Sequence, residues 1–131
     1  MDNEENLILD QSFIDDGRKL VGKLDSTEVK PSAILWFYFK EQKVWRLLIA
    51  ASYFNELTAI NRYKKFMKFF DQNDYQRLKF ENIALLGSTD QLISLMKVAL
   101  VTDPNSISET RFQSSTINGF FVDDALIYRL S

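Results

Sequence analysis

The hydrophobic positions of the chain are densest in residues 32–52. Two runs rich in aromatic and β-branched residues, 33–39 and 44–50, are separated by the four polar residues 40–43. Runs of this composition joined by a short polar segment are typical of two antiparallel strands and their turn. The pattern therefore predicts a central β-hairpin in which Phe39 pairs with Val44 and Ile34 pairs with Ile49.

Both faces of this hairpin are apolar. Because side chains alternate between the faces of a strand, one face carries Ile34, Trp36, Tyr38, Trp45, Leu47 and Ile49. The opposite face carries Ala33, Leu35, Phe37, Phe39, Val44, Leu48 and Ala50. Such a hairpin is either covered on both sides by its own chain or meets a second copy. Since Trp and Tyr are enriched at interfaces, we predict a homodimer contact formed by Trp36, Tyr38, Trp45 and Leu47.

Apolar residues at helical spacing predict three helices. The first covers residues 7–24, and its Gly17 and Gly22 are suited to close packing on the sheet. The second runs from Asn55, its N-cap, to about residue 71. Its predicted core-facing stripe consists of Leu57, Ile60, Tyr63, Phe66, Met67 and Phe70. The third begins at a capping box of Ser88 and Gln91 and ends near residue 102, ahead of a proline.

The remaining strands lie in the second half of the chain. Residues 83–86 form a short apolar run, which favours a buried strand. The dipeptide Asn118-Gly119 predicts a type I′ turn between strands 111–117 and 120–130. The element order α-β-β-α-β-α-β-β indicates an α+β fold, with a mainly antiparallel sheet of about five strands and helices packed on it. We expect one domain over residues 1–131, with residues 1–6 disordered.

The composition excludes several kinds of chemistry. The chain has no cysteine and no histidine, which removes disulfides, thiolate sites, Ser-His and Cys-His nucleophile pairs and nearly all zinc enzymes. No motif with a known mechanism is present, and we expect no cofactor. The first residues are acidic and no apolar run approaches about 18 residues, so we predict a cytoplasmic protein that does not enter a membrane.

The net charge of −2 is unevenly distributed. Residues 30–80 carry ten bases and four acids, whereas the segments before and after them are acidic. Within the basic middle, the candidate anion-binding residues are Arg62, Lys64, Lys65 and Lys68. With Phe69 and Tyr75 nearby, the segment 62–79 has the mixture of bases and aromatics that can bind nucleic acid. The alternative is the solvent-exposed side of an amphipathic helix.

The last hairpin contains a candidate polar site, formed by Arg111, Asp123, Asp124 and Arg129. Aspartate is depleted in strands, and two adjacent carboxylates could bind Mg²⁺ or Mn²⁺. However, neighbouring strand residues point to opposite faces, so both carboxylates reach one ion only if a bulge turns one of them. The alternative is structural pairing across the hairpin, with Asp124 bound to Arg111 and Asp123 to Ser114.

Three functional hypotheses remain open. The first is a small non-catalytic protein that acts through protein contacts, as a homodimer. The second is a nucleic-acid-binding protein that uses the segment 62–79, and the third is an Mg²⁺- or Mn²⁺-dependent phosphoesterase that uses the strand carboxylates. The first is favoured because the chain lacks His and Cys while its central hairpin is apolar on both faces.

Overall fold

The computed structural model describes residues 8–131. Its helices are α1 (Gln11–Asp25), α2 (Ala59–Phe66) and α3 (Gln91–Ala99). Its strands are β1 (Ala33–Phe39), β2 (Val44–Ala50), β3 (Ile83–Leu86), β4 (Thr110–Ile117) and β5 (Phe120–Leu130). The α+β class and the element order agree with the prediction. The predicted disorder of residues 1–6 lies outside the described residues.

The five strands form one sheet in the order β3-β2-β1-β5-β4. Three of the four strand pairs are antiparallel, whereas β2 and β3 are parallel, so the sheet is mixed. A parallel pair needs a crossover connection, and residues 51–82 supply it. The first hairpin has the predicted register, from Phe39 opposite Val44 to Ala33 opposite Ala50. The second hairpin, β4–β5, also has its predicted register at the turn, with Ile117 opposite Phe120.

The chain itself covers both faces of the sheet. On one face, Trp36 and Leu47 pack beneath α1 and the 51–82 crossover, which contribute Leu20, Leu24, Phe54, Phe66 and Phe70. On the other face, Leu35 and Leu48 pack against Ile93 and Met96 of α3. The two apolar faces of the hairpin therefore each form half of an internal core.

This covering changes the interpretation of the four predicted interface residues. Trp36 and Leu47 are 1% and 0% exposed, and Tyr38 and Trp45 are each 7% exposed. Helix α1 lies over this face, since Phe13 packs edge-on against Trp36 at 5.6 Å between ring centres. In the part of the chain that the structure describes, this face therefore offers little surface to a second copy, and core packing explains its aromatic content. A dimer would need another surface.

Helix α2 is shorter than predicted, and half of its predicted core-facing stripe is exposed to solvent. Thr58, not Asn55, is the N-cap, and its hydroxyl accepts a hydrogen bond from the Asn61 N–H at 3.2 Å. The helix begins three residues later than predicted, and only part of the predicted stripe meets the core. Phe66 and Phe70 are buried, whereas the exposed members are Ile60, Tyr63 and Met67.

Helix α3 also begins later than predicted. Asp90 is its N-cap, with Oδ2 accepting hydrogen bonds from the N–H groups of Leu92 and Ile93. Ser88, the predicted cap, is instead bonded to Asn55, whose side chain accepts from the Ser88 N–H at 2.8 Å. The two residues predicted as helix caps thus fasten the end of β3 to the crossover.

Helix α1 is fastened to the sheet and to the crossover by buried polar contacts. The Tyr128 hydroxyl donates to the Ile14 carbonyl at 2.6 Å and accepts from Trp36 Nε1 at 3.1 Å. Burial raises the pKa of this hydroxyl. On the other side of the helix, the buried Asp16 carboxylate accepts hydrogen bonds from three consecutive backbone N–H groups, those of residues 76–78. Across residues 8–131, no helix is both long and apolar enough to span a membrane.

Candidate functional site

Strands β1 and β5 separate at one end of the sheet and leave a cleft between them. Their pairing ends at Phe37 and Ala125, although β1 continues to Phe39 and β5 begins at Phe120. We call the space of about 490 Å³ between them the β1–β5 cleft; its lining residues are Phe37, Tyr38, Phe39, Lys40, Glu41, Gln42, Phe120, Phe121 and Asp123.

Four phenylalanine side chains flank the cleft, and two of them are exposed. Phe120 and Phe121, next to the Asn118-Gly119 turn, are 44% and 52% exposed. On the opposite wall, Phe37 and Phe39 lie with ring centres 4.9 Å apart. A hairpin end is ordinarily polar, so an aromatic pair of this size left open to solvent is typical of a contact surface.

A local twist orients this end of the hairpin. Ser114 has a φ of +48°, in the left-handed region, and the strand pairing skips it and Asp123. Beyond the twist, Val122 belongs to the core on the α3 side, whereas Leu126, four residues later, belongs to the α1-side core. Simple alternation would place these two side chains on the same face. The twist therefore reverses which side chains of β5 point to each face of the sheet.

The two adjacent aspartates are separated by this twist. Asp124 accepts from Nε and Nη2 of Arg111 at 2.6 and 2.7 Å, which is the cross-hairpin pair predicted from the sequence. Gln113 donates a third hydrogen bond to Asp124 at 3.3 Å. Asp123, in contrast, lines the cleft and does not bond to Ser114. Within residues 8–131, no three acidic side chains come together in a way that could hold a metal ion.

Arg129, the fourth residue of the predicted polar site, lies away from the two aspartates and joins the end of α1 to two loops. It is 1% exposed and makes five hydrogen bonds, to both oxygens of Asp25, to the carbonyl of Pro31 and twice to that of Ser106. A guanidinium has five N–H donors, so none is left for an anionic ligand. A bulge at Tyr128 turns both Tyr128 and Arg129 towards α1.

The four predicted anion-binding residues differ in their contacts and exposure. Arg62 donates to the carbonyls of Phe54 and Leu85, and Lys65 lies over the Tyr53 ring at 5.1 Å. Lys64 and Lys68 alone among the four are exposed. Tyr75, a predicted stacking platform, is stacked on Phe70 at 5.3 Å between ring centres. Burial is the main cause that raises its pKa to about 12, with the nearby carboxylates adding to it.

The cleft thus brings together residues that belong to two different sites in the sequence-based prediction. Tyr38 comes from the predicted interface and Asp123 from the predicted polar site, and both line it. None of the four phenylalanines of the cleft belongs to a site predicted from the sequence. One signal was available, because Phe120 and Phe121 directly follow the Asn-Gly turn, where polar residues are usual.

The chain was compared with known protein families, curated proteins and solved structures. No protein-family model, no curated protein and no solved structure matches this chain.

Proposed function

We propose that this protein acts through contact with another protein and that the β1–β5 cleft is the contact surface. The observation that carries the proposal is the exposed aromatic pair at the open end of the sheet, beside a cleft of about 490 Å³. Exposed aromatics grouped at one place are enriched at protein interfaces. The homodimer and the cytoplasmic location remain predictions from the sequence, and a second copy is one candidate for the contacting protein.

The competing surface is the exposed side of α2. Ile60 is 67% exposed there, and Tyr63 is 42% exposed. Tyr63, however, already packs edge-on against Phe80 at 3.9 Å between ring centres. The cleft, in contrast, combines a concave space with aromatic side chains from both β1 and β5. These differences favour the cleft.

Site-specific photo-crosslinking tests this function. We expect benzoylphenylalanine at position 121 to form a covalent adduct with a protein in cells that natively produce the chain. The matched control is the same residue at position 98, because Val98 on α3 is also apolar and 61% exposed. A Phe120→Glu change in the position-121 protein is expected to reduce the adduct several-fold, because it puts a charge at the cleft.

The mass of the adduct identifies its partner. An adduct of twice the chain mass would assign the contact to a second copy, and any other mass to a different protein. Equal yields from positions 121 and 98, or no adduct from position 121, would contradict the proposal. Circular dichroism of each variant confirms that the fold is retained.

A further inference from the structure

We infer that the β1–β5 cleft binds an extended peptide segment of a partner protein, which pairs with the free edge of β5 and places a basic side chain at Asp123. This inference rests on the proposed function and adds to it the conformation and charge of the occupant.

The first argument is the free edge of a strand. Of residues 120–124 of β5, all but Asp123 pair with β4 on one side, and on the other side the pairing with β1 begins only at Ala125. Five residues of a strand span roughly 17 Å. Exposed strand edges bind extended peptides, because the peptide backbone completes the ladder of hydrogen bonds. Phe39, the last residue of β1, lines the cleft on the side opposite this edge.

The second argument is the character of the walls. In strand addition, alternate side chains of the peptide point to each face of the sheet, and pockets beside the edge select them. Phe37 is only 4% exposed and contributes little surface. The accessible rings are those of Phe39 on one wall and of Phe120 and Phe121 on the other. These rings suit an aliphatic or aromatic side chain of the peptide, whose burial against them supplies the apolar part of the affinity.

The third argument is charge. The charged residues that line the cleft are one lysine, Lys40, and two acids, Glu41 and Asp123. Within the part of the chain that the structure describes, the Asp123 carboxylate has no ion-pair partner, whereas its neighbour Asp124 is bound to Arg111. Asp123 is also partly buried. An occupant with a positive charge next to its apolar residues complements this lining.

The test uses a blocked heptapeptide, Ac-Thr-Val-Lys-Phe-Thr-Val-Thr-NH2, titrated into the ¹⁵N-labelled full chain and followed by NMR. We expect shift changes concentrated at residues 37–42 and 120–124, with slower amide exchange at Phe121. Two control peptides isolate the contributions. The first control peptide carries methyl groups on the backbone nitrogens of its two Val and its Phe, which removes three hydrogen-bond donors and is expected to abolish binding. The second has Glu in place of Lys, and this reversal of charge is expected to weaken binding.

Matched protein variants test the charge. Asp123→Asn is expected to lower the affinity for the lysine peptide about two- to fivefold, as for a partly exposed ion pair. Asp103→Asn is the control, because Asp103 is exposed and lies in the loop before β4. It is expected to leave the affinity unchanged.

The outcomes separate the inference from the function on which it rests. Shifts spread over α2 or α3, equal binding of the methylated peptide, or no binding would overturn the peptide inference. If a crosslinked partner is nevertheless found at position 121, protein contact through the cleft stands and the occupant is a folded surface. If neither binding nor crosslinking occurs, both proposals fail.

Discussion

At the scale of single residues, the two glycines of α1 have opposite roles. A Cβ on Gly17 would lie 2.3 Å from the Tyr128 hydroxyl oxygen and 2.9 Å from Trp36 Nε1, both buried and hydrogen-bonded. Apart from its chain neighbours and the backbone of its own helix, a Cβ on Gly22 would meet no atom within 4 Å. The sequence suggested close packing for both, and the structure assigns that role to Gly17.

The pair gives a matched test of this packing. Gly17→Ala is expected to lower the free energy of unfolding by roughly 1–3 kcal/mol, because the methyl group forces the Tyr128–Trp36 contact apart. Gly22→Ala is expected to raise it by roughly 0.5–1 kcal/mol, because alanine restricts the unfolded chain and favours helix. Urea denaturation of both variants measures the two changes. Equal effects would contradict the close approach of α1 to the sheet at Gly17.

At the scale of elements, turns and registers could be predicted, whereas helix orientation could not. The Asn118-Gly119 turn and the alternation in β1 and β2 are local features, and they determined both hairpin registers. Both Asn55 and Thr58 could cap the N-terminus of α2. The Asn55 side chain is instead hydrogen-bonded to Ser88, 33 residues away, and Thr58 is the cap. A helical stripe indicates that residues share a side, but not which side meets the core, so Ile60 and Met67 were placed inside when they are exposed.

The start of α3 gives a second matched test. Asp90→Ala is expected to destabilise the protein by about 1 kcal/mol, because two N–H groups of the first helical turn lose their acceptor. Ser88→Ala leaves this cap intact and removes only an exposed contact with Asn55, so a smaller loss is expected. Thermal or urea unfolding distinguishes the two. A larger loss for Ser88→Ala would instead support the capping box predicted from the sequence.

At the scale of the whole molecule, the site could not be predicted because it depends on pairing between distant strands. The composition of the central hairpin indicated that both faces must be covered, and a partner copy was one of two ways to cover them. The choice depended on whether α1, the crossover and α3 reach both faces of the sheet. Likewise, the β1–β5 cleft exists only because β1 and β5 stop pairing at Phe37 and Ala125, 88 residues apart.

A partly buried tyrosine connects the stability of the molecule to alkaline pH. Tyr75 has its pKa raised from 10 to about 12, chiefly by burial, so the folded state keeps the proton that the unfolded state loses above pH 10. Its contribution is therefore complete below pH 10 and is lost as the pH rises towards 12. We expect the urea midpoint to fall over this range, and to fall less steeply in Tyr75→Phe. Identical pH profiles for the two proteins would contradict this assignment.

The central position of β1 also has a consequence for how the protein is made on the ribosome. Its neighbour on one side, β2, follows within a few residues, but its neighbour on the other side, β5, is synthesised last among the described strands. Until β5 leaves the exit tunnel, the aromatic hairpin has an open edge and Trp36 lacks its Tyr128 partner. Until β5 is made, the nascent chain therefore carries an apolar strand with one unpaired edge, and this edge is a site at which aggregation can begin.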